Sequence, residues 1–372
     1  MFRTAVGIPG FKDEVRTSKS SIMATMPPTP AKMRATLEDV ARHAEVSLAT
    51  VDRVLNKRAG VRASTVEKVR DAVQQLDYRP DAAAARLARA RHYKLCFVLP
   101  SGSNSFVALL RQQIAENQPW MSDQRLVAEA VEVDVFEPRT LATELHALAG
   151  RCDGVIVMAL DHPLVKDAID ALVERGLAVI TLVSDVPASK RQHFVGIDNV
   201  AAGRTAGTLV GRFVGKARGS VGIVVGSLSL RDHAERCFGF NQVMAAEYPG
   251  LTILPPVEGK DDDRRTEKAA RELFAAQPKL AGLYSVGAGN AGIISALHGS
   301  GRAADTVFVG HELSSHSRAA LLSGTMDAVI NQDAGHEVRS ALRLAFAHVA
   351  QEVVRPAQER IRIDIYLKDN LP

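Results

Sequence analysis

From Lys94 to the C-terminus, apolar runs of six to eight residues alternate with helical stretches: "KLCFVLP", "GVIVMAL", "AVITLVS", "HFVGID", "SVGIVVGS", "LAGLYSV" and "TVFVGHE". Runs that are apolar throughout and separated by helices belong to parallel strands covered on both faces. The 278 residues of this body suit an α/β architecture of two doubly wound subdomains. Ligands of such folds bind outside the carboxyl ends of the strands. The residues just past the runs are therefore informative: Ser101 to Phe106, Asp161 and His162, Ser184 and Asp185, Asp198 and Asn199, Ser227 to Arg236, Gly287 to Asn290, and His311 with Glu312. No run approaches the roughly 20 apolar residues of a membrane helix, and the front lacks the apolar block of a signal peptide, which points to the cytoplasm. With 46% hydrophobic and 24% charged residues, the composition excludes wholesale disorder, collagen and coiled coil. Cys96, Cys152 and Cys237 lack paired spacing, so reduced thiols are expected and neither a metal nor a cofactor is.

The front of the chain differs. Residues 1–34 hold six Lys/Arg against two Asp/Glu and residues 35–94 hold twelve against eight, whereas the remainder holds 28 against 32. A basic front on a slightly acidic body suits a nucleic-acid module joined to another domain, although a solvated charged face gives a similar imbalance. Residues 1–34 show no helical or strand period and read as a flexible tail. In residues 35–79, Leu37, Val40, Ala41 and Ala44 make one apolar helix face, started by a Thr36/Asp39 capping pair. A linker over 45–47 leads to a second helix over 48–56 capped by Ser47, and a third helix follows over 64–76, the spacing of a helix-turn-helix. On the second helix Val51, Val54 and Leu55 share one side while Ala49, Asp52, Arg53 and Asn56 share the other. Arginine is the side chain best shaped to pair with guanine in the major groove.

Residues 80–93 read as a short Ala-rich hinge helix and linker, with Asp81 as cap and Arg86, Arg89 and Arg91 as its basic end. Leu87 stands there as an isolated large apolar residue, suited to wedging between minor-groove base steps.

The stretches "TLEDVARHAEVSLATVDRVLN" and "YRPDAAAARLARA" resemble the N-terminal region of the LacI/GalR family of bacterial transcription regulators. The resemblance implies base-reading positions at Leu48, Ala49 and Arg53, phosphate-side positions at Thr36, Ser47, Thr50 and Asn56, and a minor-groove lever at Leu87. Departures are Glu45 where the family usually has Gly, Asp52 for a common Ser, Asp81 for Asn, and Arg62 for a capping Ser. A non-Gly residue held at positive φ at position 45 would cost on the order of 1 kcal/mol.

The family's sensor is similar to a periplasmic sugar-binding protein, two lobes closing on a small molecule. The resemblance of "VGIDNVAAGRTAG" and "RCFGF" implies ligand contacts from Asp198 and Arg236. "GSNSF" offers Asn104 and a stacking Phe106, "GHEL" offers Glu312, "NQDAG" offers Gln332, and Asn290 completes the set. Carboxylate, amide, one Arg and an aromatic face describe a site for a sugar, polyol or sugar acid.

Two rival readings carry their own motifs or lack them. "GAGNAG" at Gly287 to Gly292 fits the G-x-G-x-x-G of an NAD-dependent dehydrogenase, but it stands late in the chain rather than in the first βαβ unit. A sugar-binding protein without DNA function would lack the helix-turn-helix. No G-x-S-x-G elbow appears, and the five-residue spacing of His311 and His316 does not place them on one helix face for zinc. The expectation is a homodimeric DNA-binding repressor, not an enzyme, controlled by a sugar-like effector on double-stranded operator DNA.

Overall fold

The computed structural model describes residues 35–55, 58–78, 91–102, 104–215, 218–354 and 358–372. Tail 1–34, residues 80–90 of the expected hinge, Asn56 and Leu87 lie outside the described residues. The chain forms two compact units, Met1–Ala85 and Arg86–Pro372.

The first unit contains α1 (Leu37–His43), α2 (Leu48–Leu55) and α3 (Ala63–Gln75). Val40, Ala41, Ala44, Val51, Val69 and Ala72 form its buried core. The expected capping box is present: Thr36 Oγ1 accepts from the Asp39 amide at 3.2 Å, and the Asp39 carboxylate accepts from the Thr36 amide at 2.8 Å. Glu45 takes φ +53°, the left-handed turn that its position implied. Arg62 stands at the start of α3 without a side-chain cap.

The second unit is built of two α/β lobes. Strands β1 (Tyr93–Pro100), β2 (Leu126–Val133), β3 (Gly154–Val157), β4 (Ala178–Leu182) and β5 (His193–Val195) make a parallel sheet in the order β2-β1-β3-β4-β5. Helices Ser105–Glu116, Gln118–Asp123, Pro138–Ala147 and Pro163–Glu174 connect them. In the second lobe β6 (Gly219–Val225), β7 (Leu251–Ile253), β8 (Val257–Glu258), β9 (Leu280–Ser285), β10 (Val307–His311), β11 (Ala328–Gln332) and β12 (Ile363–Tyr366) form one sheet. Its order is β7-β6-β9-β10-β11-β12, with β8 also beside β6 and β12 antiparallel. Each lobe thus repeats the doubly wound order of first strand flanked by second and third, with its ligand edge at the strand C-termini.

The lobes exchange helices. After β5 the chain enters helix Asn199–Val214, which packs on β9 and β10; after β11 it enters helix Ala334–Ala350, which packs on β3 and β4. One buried cluster consequently holds Leu95 and Ile180 together with Tyr284, Ile330 and Val338, and each lobe has a second core on its other face. The exchange brings β-strand ends of both lobes toward one interior.

Strands β2, β7, β8, β11 and β12 lie outside the seven apolar runs. β2 is an edge strand in which Glu129 and Glu132 interrupt the apolar residues and hide it from an apolar-run reading. The "GAGNAG" glycines stand between β9 and helix Asn290–Gly299, where packing accounts for them. A Cβ on Gly292 would come within 2.1 Å of the Asp263 carbonyl oxygen, and one on Gly287 within 2.5 Å of His233 Nε2.

Candidate functional site

In α2 the burial follows the sequence pattern. Val51 is fully buried and Val54 and Leu55 pack beside it, while Ser47, Leu48, Ala49 and Arg53 are exposed and Thr50 is partly so. The Ser47 hydroxyl caps the helix, accepting from the Thr50 amide at 3.2 Å. Thr36 is exposed at the start of α1. The Asp52 carboxylate lies 3.4 Å from Arg58, which offsets part of its negative charge on this face.

In the second unit, the candidates divide between a buried cluster, an open vestibule and places away from both. Arg236, only 1% exposed, is held by two bonds: Nε donates to Asn199 Oδ1 and one terminal nitrogen donates to the Val286 carbonyl, both at 2.9 Å. Its position depends on close helix contact. A Cβ on Gly203 would lie 1.9 Å from the Arg236 carbonyl oxygen, and one on Gly239 would lie 2.1 Å from the Val200 carbonyl, so small residues let helices Asn199–Val214 and Arg231–Glu247 approach backbone to backbone.

Around that guanidinium are Asp232, Asp261, Glu312 and Glu337, and among the described residues these are the buried carboxyl side chains. Burial pushes the Glu312 carboxyl up to about 8, opposed by Arg236 and reinforced by Asp261 and Asp232. Burial also raises Asp261 and raises Glu337 well above the ordinary carboxylate range. His311 is pushed well down by burial and shares a 2.8 Å hydrogen bond with the Tyr284 hydroxyl.

Several polar atoms here have no hydrogen-bond partner among the described residues: Asp232 Oδ1, Glu312 Oε2, both Glu337 oxygens, both Gln332 amide atoms, one Arg236 nitrogen and the Ser184 hydroxyl. Buried groups of this kind are normally paired with protein, water or a bound molecule.

The two lobes also share a backbone device at this edge. Val183, immediately after β4, has φ +64°, and Glu312, immediately after β10, has φ +72°. Each donates its amide to the neighbouring strand, Val183 to the Val195 carbonyl at 2.8 Å and Glu312 to the Ile330 carbonyl at 2.9 Å. Left-handed backbone at non-glycine residues costs energy and concentrates at ligand sites.

The vestibule, about 430 Å3, lies between the lobes and is lined by Ser101, Asn104 and Phe136 from one and by Lys260, Asp261 and Arg265 from the other. Asn104 Oδ1 accepts from the amides of Phe106 and Val107 at 2.9 and 3.2 Å, which fixes the first turn of helix Ser105–Glu116. An ion pair between Asp161 and Arg231, 3.0 Å, joins the lobes nearby.

Three expected ligand residues are placed differently from the rest. Phe106 is 3% exposed and belongs to the shared apolar core. Asp198 is exposed and caps helix Asn199–Val214 by accepting from the Ala201 amide at 2.9 Å; it lines a separate groove of about 1140 Å3 at the lobe crossovers, and its neighbour Asn199 is the residue that meets Arg236. Asn290 donates to the His311 carbonyl at 2.7 Å, bracing β10. Sequence reasoning missed Asn199, Asp232, Asp261 and Glu337 as members of the cluster. The four-residue spacing of Asp232 and Arg236 on one helix was a usable signal.

Residues 36–81 match the family of bacterial regulatory proteins named lacI, and residues 95–352 match the periplasmic binding protein domain. Among curated proteins, catabolite control protein A of Streptococcus mutans is 31% identical over 177 residues, covering 48% of this chain and 51% of that protein. The chain thus spans about half the length of that relative. Solved structures of the same fold include GanP, a glucose-galactose binding protein from Geobacillus stearothermophilus, with TM-score 0.67, 21% identity, and coverage of 76% of this chain and 99% of the other. An ABC transporter solute binding protein from Burkholderia graminis, in complex with D-arabinose, gives TM-score 0.68 and 19% identity, covering 76% and 97%. Among the described residues no helix is long and apolar enough to cross a membrane.

Proposed function

Because this chain belongs to the lacI family of bacterial regulatory proteins and carries the periplasmic binding protein domain, we propose that it is a DNA-binding transcription repressor controlled by a small polyhydroxyl effector. The observation that carries the reading is the division of α2 into a buried Val51 side and an exposed side bearing Leu48, Ala49 and Arg53. A helix anchored on one face and polar on the other can lay its exposed residues against base edges in the major groove. Thr36, Ser47, Thr50 and Asn56 then serve the phosphates, and Leu87 the minor groove at the operator centre.

The protein acts in the cytoplasm as a homodimer on a pseudo-palindromic operator, its two reading helices about 34 Å apart. The effector, a sugar, polyol or sugar acid, binds between the lobes against Arg236, Glu312 and Gln332, with Asn104 at the entrance. Effector and operator each favour one of two arrangements, so a coupling of about 1–3 kcal/mol changes operator affinity roughly 5- to 150-fold. No catalytic step is assigned to the chain. The alternatives, a dehydrogenase built on Gly287 to Gly292 or a sugar binder without DNA function, have no comparable support from α2.

Selection of binding sites from random duplex DNA by the full chain, followed by titration of the selected site, tests this. Arg53→Ala is expected to weaken the selected site by about 1–3 kcal/mol and relax one base position. An equal loss on random duplex would contradict the assignment of Arg53 as a base reader.

A further inference from the structure

The buried cluster has an unusual chemical balance. Its unpartnered acceptors are Asp232 Oδ1, Glu312 Oε2, Gln332 Oε1 and both oxygens of Glu337, whereas its unpartnered nitrogen donors are one Arg236 nitrogen and Gln332 Nε2. With both glutamates ionised the unpartnered acceptors exceed the unpartnered donors, so a ligand that keeps them ionised must be donor-rich. The charges are equally one-sided. Four carboxyl side chains are buried around a single guanidinium, itself already bonded to Asn199 and Val286, with the buried His233 ring 3.6 Å from Asp232. At the entrance Lys260 lies 3.0 Å from Glu258 and Arg231 is shared between Asp161 and Glu235, while the exposed Arg265 lines the vestibule outside the buried cluster.

Resting on the regulator reading above, we propose that the effector is a polyhydroxyl compound carrying a protonated amine, an amino sugar or amino polyol, whose ammonium group is received by Glu312 and Glu337. An ammonium brings three donors and a positive charge to a place holding surplus acceptors and surplus acid. In a water-poor interior that attraction is much stronger than at a surface. A sugar acid would instead add a fifth carboxylate to the group, and a neutral sugar would leave the carboxyls to shed their charge by taking up protons. Burial raises the carboxyls of Glu312 and Glu337, with Arg236 opposing and the neighbouring acids adding to the rise, so a bound ammonium would take the place of the proton each otherwise keeps.

The test uses the full chain and three hydroxyl configurations, gluco, galacto and manno. Each is supplied as the 2-amino-2-deoxy sugar, the parent hexose and the hexuronate, with binding followed by thermal shift and calorimetry at pH 7. In at least one configuration the amine is expected to bind about tenfold or more tighter than its hexose, with the uronate weakest. Glu337→Gln, checked for folding by its own melting curve, should cut the amine-over-hexose preference by about tenfold while hexose affinity changes less. A hexose or uronate that binds best in every configuration, binding by none of the three amines, or an amine preference unchanged in Glu337→Gln would each overturn the inference. The regulator reading is judged separately on the same preparations: failure to select any DNA sequence removes that reading, and the ligand ranking still decides this one.

Discussion

The two lobes of the second unit share a doubly wound strand order and even a left-handed residue, after β4 in one and β10 in the other, yet they differ in what they bury. The second lobe, with the exchanged helix packed on it, buries Asn199, Asp232, His233, Arg236, Asp261, Asn290, His311, Glu312 and Gln332; the first lobe buries Thr181 and Ser184, and the exchanged helix packed on it buries Glu337. A duplicated framework has therefore been given unequal tasks. The second lobe holds most of the buried charge, and the first contributes the Ser184 hydroxyl and the Asn104 turn. Because both lobes place these groups at strand C-termini, the asymmetry is one of side chains rather than of topology.

The sharpest way to break this comparison is to remove the charge at the centre of the second lobe. Arg236→Ala should lower the unfolding free energy by about 3–5 kcal/mol, since it leaves buried carboxyl groups without their cation. Urea denaturation measures this, and a loss below about 1 kcal/mol would mean that Arg236 does not organise the cluster. Glu312→Gln probes the acid side. The folded pKa of Glu312, about 8, exceeds the ordinary value of 4.5, so the folded protein keeps a proton that the unfolded chain releases. Its contribution to stability is complete below pH 4.5 and is lost as pH rises through about 8. Melting temperature between pH 5 and 9 should therefore fall more steeply for the parent than for Glu312→Gln, and equal slopes would remove Glu312 from the account.

Changes in the first lobe are expected to be smaller. Ser184→Ala should alter stability by less than about 1 kcal/mol and weaken effector binding by no more than about tenfold, because it removes one neutral hydroxyl. A larger loss would place the first lobe on an equal footing with the second. Asp161→Ala, which cuts the partly exposed pair to Arg231, should cost no more than about 1 kcal/mol, with an effect that shrinks in high salt. Salt-independent loss in denaturation curves would show that the pair does more than join two solvated surfaces.

Much of the framework was legible because strands buried on both faces must be apolar throughout. β1, β3, β4, β6, β9 and β10 follow that rule. β2 did not reveal itself, since Glu129 and Glu132 keep an edge strand half wet, and β12 was unreadable because it pairs with β11 only after a return across the lobes. In the first unit, Thr36, Asp39 and Val51 declared helix starts and burial through contacts only a few residues apart. The effector cluster was harder for the opposite reason. Asp232, Asp261, Glu312 and Glu337 come from four elements brought together by the helix exchange, and local sequence does not encode such distant pairing. Asp198 shows the finer difficulty: the motif located the right turn, but helix geometry turns Asn199 inward and leaves Asp198 as the cap.

The measurement that tests the central claim most directly is fluorescence-anisotropy titration of the full chain on its selected duplex, with and without the polyhydroxyl ligand that raises its melting temperature. The account predicts operator affinity shifted by about 5- to 150-fold by ligand, and a shift absent in a folded Glu312→Gln or Arg236→Lys variant. An operator affinity that ligand leaves unchanged in the parent protein would contradict it.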